Sequence, residues 1–414
     1  MLFHHPDRPG LGVHLSYGLN LYPSRDAAGV LAGLRELALP LRARLAPGAS
    51  DFGVGAWIPA RAAREFLADE RLRGELFELC TGAGLDPATF NAFPQGDFHG
   101  PGLKARVFVP PWSEPARLAY TLDVARLAAG LRARRGGSRP GQHLSISTHA
   151  GAFAAWLEPG ERERIAAAFR AAALALSELE RETGERVVLA LEPEPRSSAN
   201  DTRELAELLE TLRAGASPAE EAALARHLGA CLDTCHAAVE FEEPEAALAR
   251  ATQHGTPLGK LQFSSALALR RPDDDPDACA RLLALDEPVY LHQVTGRRGA
   301  EHLRALDLPE LAREASAWRG CDEWRCHFHV PVDLAHFGTG AGLATTRAEA
   351  ERTLAAALAA PERWGSSELH VEVETYTWSL LAPGAAGLDV VRAGLERELA
   401  HVRGRLVAAG WTRD

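Results

Sequence analysis

Lysine is nearly absent from this chain of 414 residues, occurring only as Lys104 and Lys260, and the formal net charge is −11. Binding to a phosphate backbone rests on clustered Lys and Arg, so nucleic acid is excluded as the main partner. Long apolar runs are missing as well. The opening MLFHHPDRPG lacks the charged-then-apolar pattern of a secretory leader, so no membrane span and a cytoplasmic location are expected. The six cysteines (Cys80, Cys231, Cys235, Cys279, Cys321, Cys326) are scattered, and the LDT between Cys231 and Cys235 fits no zinc ribbon. That usage points to buried thiols rather than a disulfide framework. No G-x-G-x-x-G follows the first candidate strand, no G-x-S-x-G elbow occurs, and there is no Walker A sequence. Dinucleotide chemistry, serine-nucleophile hydrolysis and P-loop chemistry therefore lose their usual signatures.

What is present is alternation. Short apolar or β-branched runs at 12–18, 52–58, 88–93, 143–148, 187–193, 229–234, 258–265, 288–294, 326–332 and 368–375 read as strands. Amphipathic stretches rich in Ala, Leu and Arg separate most of them, and AGLDVVRAGLERELAHVRGRLVAAG closes the chain as a helix. Strand–helix alternation predicts an α/β fold with a parallel sheet. Polar residues gather at the C-terminal ends of many strands rather than at one crevice, which favours a closed (β/α)8 TIM barrel over a doubly wound sheet. Ten candidates for eight places imply an insertion between the seventh and eighth strands, at about 270–335 of a single domain spanning 1–414.

Both faces of a strand in such a barrel are buried, so each ionisable group on one needs a partner. In CHFHVPVD, His327 and His329 alternate with Phe328 and Val330 and share a face. ELHVEVET turns His370, Glu372 and Glu374 one way and Leu369, Val371 and Val373 the other. A one-residue bulge would decide which of Glu372 and Glu374 faces the site. LALEPEPR ends with Glu192 and Glu194, and CLDTCH offers Asp233 with His236 three residues on. Convergent carboxylates repel unless a positive charge lies among them, and a divalent metal answers that need. Mixed carboxylate and imidazole donors suit zinc, manganese or iron. Glu192, Asp233, His236, His327, His329 and Glu374 are the expected ligands, with Glu194 and Glu372 as salt-bridged supports.

With these residues in place the chain resembles the xylose-isomerase-like TIM-barrel superfamily, which includes sugar-phosphate isomerases and epimerases and endonuclease IV. The superfamily places a glutamate after strand five, an aspartate with a histidine three residues on after strand six, a histidine on strand seven and an acid on strand eight. Glu192, Asp233 with His236, and Glu374 follow that order, whereas KLQFSSAL puts Gln262 at the seventh-strand position, where His327 or His329 would have to substitute. GLNLYP, TFNAFPQGDFHG followed by Lys104, KLQFSSALAL, YLHQVTGRR, HFHVPV and VEVETYTWSLL resemble the EboE family of metabolite traffic proteins over nearly the whole chain. The resemblance implies a link to processing or moving a metabolite precursor, and contact with other proteins of the same gene cluster.

The chemistry expected is that of a divalent-metal-dependent isomerase or epimerase acting on a sugar-like or polyol metabolite, with or without a phosphate. The metal would polarise a carbonyl while Glu192 and Glu374 move the proton as catalytic base and acid. Asn20, Asn91, His99, Gln262 and His292 are expected to fix hydroxyls, and Lys104, Lys260 and Arg297 to hold a phosphate or carboxylate. The alternatives are a metal-dependent phosphodiesterase of endonuclease IV type and a non-catalytic barrel that binds a metabolite.

Overall fold

The computed structural model describes residues 1–48, 51–338, 342–378 and 387–413. The last three residues of VEVETYTWSLL and the first of the closing helical stretch lie outside them. Eight parallel strands close on themselves: β1 (Gly12–Gly18), β2 (Phe52–Trp57), β3 (Leu85–Asn91), β4 (Leu144–His149), β5 (Val187–Glu192), β6 (Leu228–Asp233), β7 (Leu258–Phe263) and β8 (Glu368–Val373). Each pairs with its sequence neighbour, and β8 pairs with β1 in register from Glu368↔Gly12 to Val373↔Tyr17. The fold is thus a (β/α)8 TIM barrel. Helices follow the strands, among them Pro115–Arg134, Glu161–Thr183 and Leu388–Ala408. A short strand, Leu2–His4, pairs antiparallel with β1.

Strand alternation sorts the side chains. Val13 and Leu15 of β1 and Leu369 and Val371 of β8 join the main apolar core shared with the helices. The residues between them point into the barrel, where they are polar and stacked in layers. Lowest is a ring of histidines: His14 Nε2 lies 3.0 Å from Asp86, and His370 Nδ1 lies 2.8 Å from the Ser145 hydroxyl while its ring stacks on His143. Above them Lys260 Nζ meets Glu372 at 2.9 Å, both fully buried. Gly55 makes room for this pair, since a Cβ there would lie 1.8 Å from Glu372 Oε2.

The insertion between β7 and β8 is a five-stranded antiparallel sheet. Its order is Glu301–Ala305, Val294–Arg298, Glu323–Cys326, Leu267–Arg270, Ala344–Thr345. It carries its own core of Leu267, Val294, Trp318, Trp324, Phe328 and Val330. Two strand expectations shift here. Residues 288–293 precede the strand Val294–Arg298, and the strand at 326 ends at Cys326. From His327 the chain leaves the ladder and crosses to the barrel mouth, bonded through His327 N to Gln293 O and Val330 N to Ser265 O. Proline at position 331, lacking an N–H, could not have continued the ladder.

Two predictions follow from this packing. Glu398 of the last helix is buried and accepts from Val332 N (3.0 Å) and the Thr375 hydroxyl (2.6 Å). Burial pushes its carboxyl up to about 8, outweighing the opposing effect of those donors. The folded chain then keeps a proton that the unfolded chain releases in the ordinary carboxylate range, so stability falls as pH rises toward 8. Glu398→Gln is expected to raise unfolding free energy at pH 8 by ~2 kcal/mol, with the gain vanishing near pH 4, measured by urea titration. Gly55→Ala is expected to destabilise by ~3 kcal/mol or more, because the obstructing group is one partner of a buried ion pair.

Candidate metal centre

The site begins with a helix cap. Asp233 ends β6 and caps the helix Thr234–Val239, its Oδ1 accepting from Cys235 N (2.7 Å) and His236 N (3.0 Å). The cap fixes His236 one turn into the helix, beside the carboxylate. Ser264 donates to the same Oδ1 at 2.7 Å, which leaves Asp233 Oδ2 buried with no partner. Glu192, at the end of β5, likewise leaves Oε2 buried and unpartnered. Glu374, just past β8, receives Asn20 Nδ2 (2.5 Å) and Asn91 Nδ2 (3.2 Å) on Oε1 and Gln262 Nε2 (2.7 Å) on Oε2.

His327 and His329 come down onto this set from the insertion. His329 Nε2 lies 2.9 Å from His327 Nε2 and 3.2 Å from His236 Nε2. The Nδ1 atoms settle where the protons are. That of His236 faces Pro193 O at 3.1 Å and that of His329 faces Glu374 O at 3.1 Å. His327 Nδ1 lies 2.7 Å from Gln293 Oε1, an orientation set by Gln293 Nε2 donating to Pro195 O at 3.0 Å. Carbonyl oxygens only accept, so each neutral ring carries its proton on Nδ1. The three Nε2 atoms then face one another, and on His327 and His329 they carry bare lone pairs. Burial keeps His327 and His329 neutral, pushing the first well below its ordinary value and the second down to about 4.

Carboxylates surround these nitrogens. Glu194 Oε2 lies 3.0 Å from His236 Nε2, and Glu192 Oε1 lies 3.4 Å from His236 Nδ1. Ligand atoms within 4.8 Å of one another come from Glu194, His236 and His327; from Asp233, His236 and His329; and from Glu192, Asp233 and Glu374. Burial and the neighbouring Glu374 and Asp233 raise the Glu192 carboxyl far above its usual range, and burial with Asp233 and Glu372 raises Glu374. Asp233 is pushed up by burial, but the His236 and His329 imidazoles prevail and hold it low. A divalent cation fits this donor set: it would occupy the converging lone pairs, use the orphaned oxygens, and offset the repulsion that raises two of the carboxyls. The carbonyl partners on Nδ1 are the usual outer support of ligating histidines.

The expected ligands Glu192, Asp233, His236, His327, His329 and Glu374 therefore lie together. Of the expected substrate contacts, Asn20, Asn91 and Lys104 line the cleft above them. His99 stands beside it, with Nε2 2.7 Å from Asn20 O and Nδ1 accepting from the Tyr290 hydroxyl at 2.9 Å. Gln262 lies below the cleft, its Oε1 taken by Cys231 Sγ and its amide by Glu374. Three others stand elsewhere. Lys260 is spent on Glu372 in the layer beneath. His292 stacks on Phe328 (centroids 3.7 Å apart) and its Nδ1 lies 2.9 Å from His327 O, bracing the histidine strap. Arg297 pairs with Glu323 at 3.4 Å and lies over the Phe241 ring.

Glu194 joins the centre itself, where the sequence suggested only a supporting partner. Its i, i+2 spacing from Glu192 was the signal, because the two share a face. Gln293, which orients His327, and Tyr376, stacked on His329 with centroids 4.6 Å apart, had no comparable signature.

Burial pushes the Glu194 carboxyl up to about 7, against the lowering effect of His236. A metal must displace that proton at lower pH, whereas His327 and His329 hold none to displace near neutrality. Zinc affinity is expected to fall by about fivefold from pH 7 to pH 6 and to change by about twofold from 7 to 8, measured by chelator competition.

No protein family model and no curated protein matches this chain. Solved structures similar to it include the IOLI protein with a binding zinc atom, at 13% identity, covering 94% of this chain and 98% of that one, with a TM-score of 0.44. Another is D-psicose 3-epimerase with D-tagatose from Clostridium cellulolyticum H10, at 11% identity, 95% and 99% coverage and a TM-score of 0.46. A third is a xylose isomerase domain containing protein from Salmonella typhimurium LT2, at 12% identity, 94% and 97% coverage and a TM-score of 0.42. Likeness at this level carries no information about activity, and the barrel stands on its closed strand order. Among the described residues no helix is long and apolar enough to cross a membrane.

Proposed function

We propose that this single-domain barrel is a divalent-metal-dependent enzyme of the sugar isomerase or epimerase kind, acting on a sugar-like or polyol metabolite in the cytoplasm. The observation that carries the reading is the convergence of three Nε2 atoms, from His236, His327 and His329, among buried carboxylates. Those histidines would hold zinc, manganese or iron with Glu194, Asp233, Glu192 and Glu374 as the carboxylate donors. The bound ion would supply Lewis acidity, polarising a substrate carbonyl and its neighbouring hydroxyl.

The chain's own groups do the rest. Glu192, through whichever carboxylate oxygen the ion would leave free, is the acceptor for a proton taken from carbon. Glu374, held by Asn20, Asn91 and Gln262, is the second proton carrier and is fixed in position by those amides. Aromatic rings line the cleft above the site. The resemblance to the EboE family adds a place in precursor processing or traffic, with proteins of the same gene cluster as partners.

Metal content of protein purified without a histidine tag tests the first half. Stoichiometric zinc, manganese or iron is expected, and it is expected to be lost in a His236→Ala/His327→Ala variant. Glu192→Gln is expected to exchange deuterium from solvent into ketose substrates at least ~100-fold more slowly than the parent, read by NMR. Protein that stays metal-free after reconstitution would overturn the enzyme reading and favour a metabolite-binding barrel.

A further inference from the structure

The cleft above the metal centre opens to solvent, and its two ends differ in kind. The floor is polar: Glu192, Glu194, His236, His327, His329 and Glu374. The walls are not. Phe93, Phe98, Leu103 and Phe108 come from the long segment after β3, Tyr290 from the insertion and Tyr376 from the segment after β8. Phe98 packs against Tyr290 and Tyr376 at centroid distances of 5.2 and 5.1 Å, and Phe93 packs against Phe108 at 5.3 Å. These rings belong to two apolar clusters separate from the main core, so nothing in the barrel's own packing demands them at the mouth.

Most donors at wall height are already used, and among the described lining residues Asn20 Oδ1 is the one buried amide oxygen there without a partner. Asn20 and Asn91 donate to Glu374, and the Tyr290 hydroxyl donates to His99. Among the described lining residues Lys104 is the cation, and its Nζ sits 2.8 Å from Asp307 and 3.5 Å from Asp286. A phosphate in the cleft would meet an ammonium already neutralised. A sugar hydroxylated along its whole length would bring its far hydroxyls against phenyl rings and lose their water partners without replacement. A molecule with one oxygenated end and one apolar end meets neither difficulty.

We propose that the substrate is an uncharged amphipathic molecule, with a hydroxyl- and carbonyl-bearing head at the metal centre and an aromatic or alkyl group against the ring-lined wall. The head rests on the metal reading above; the wall does not. The oxygen atoms of the head reach the converging donors at the floor, while the apolar group replaces water along Phe98 and Leu103. Burying that group supplies affinity in proportion to its area.

Zinc content is measured first, then binding of three hydroxamates to the zinc-loaded protein by calorimetry: acetohydroxamate, benzohydroxamate and phosphonoacetohydroxamate. All three share the chelating head and differ in the group it carries. Benzohydroxamate is expected to bind at least tenfold more tightly than acetohydroxamate. Phe98→Ser and Leu103→Ser are each expected to reduce the benzohydroxamate affinity threefold or more while leaving acetohydroxamate unchanged. Equal affinity for the acetyl and benzoyl compounds, or tightest binding of the phosphonate, would overturn the proposal. If the protein takes up no zinc, benzyl alcohol and glycerol are compared on the metal-free protein by saturation-transfer NMR. Binding of benzyl alcohol alone would retain the apolar wall while the metal reading falls; binding of both or of neither would overturn the wall as well.

Discussion

Four carboxylates, Glu192, Glu194, Asp233 and Glu374, are buried together at the mouth of this barrel, and the rest of the site answers the cost of putting them there. Isolated charges in such a place would either repel one another or take up protons. Part of the answer is local. Asp233 is stabilised by the start of the helix it caps, and Glu374 by amide donors from three other segments. The oxygens Glu192 Oε2 and Asp233 Oδ2 remain buried without a partner, where a divalent cation would offset the repulsion. One layer down the same problem is solved inside the chain, where Lys260 neutralises Glu372. A fixed ammonium answers the charge in the lower layer, whereas the upper layer holds donors that could take a metal ion.

The insertion is what turns the barrel mouth into a nitrogen-rich site. At the end of the seventh strand Gln262 presents an amide whose oxygen is occupied by Cys231, so that strand supplies no lone pair. The histidines arrive instead from a sheet built on a different core. Their approach is held by the Phe328–His292 stack, by Thr377 donating to His329 O at 2.7 Å, and by Arg196, which donates to Glu240 and to Val294 O. Alternation along 327–330 then does the sorting: the two imidazoles face the barrel while Phe328 and Val330 face the insertion's core. One segment thereby anchors the insertion and completes the site.

Much of this was legible in the sequence because period-two alternation in a buried strand leaves little freedom. Once Leu369, Val371 and Val373 must pack outward against helices, His370, Glu372 and Glu374 have to turn inward. The Asp-x-x-His spacing of Asp233 and His236 is likewise set by helix capping, which is a local matter. Substrate contacts were harder to read. Lys260, His292 and Arg297 are polar residues in suggestive stretches, but each is consumed by a neighbour distant in sequence, respectively Glu372, His327 and Glu323.

The sequence by itself determined the alternating barrel, the presence of an insertion and the residue types of the site, because strand periodicity, helix caps and burial act over a few residues. Only the tertiary structure decided which imidazole nitrogens meet, that Glu194 joins them, and that the cleft above is walled by aromatic rings around a neutralised lysine. Those outcomes depend on how two cores, one in the barrel and one in the insertion, dock against each other. The contacts that fix that docking join residues far apart in the chain, where no local pattern reaches.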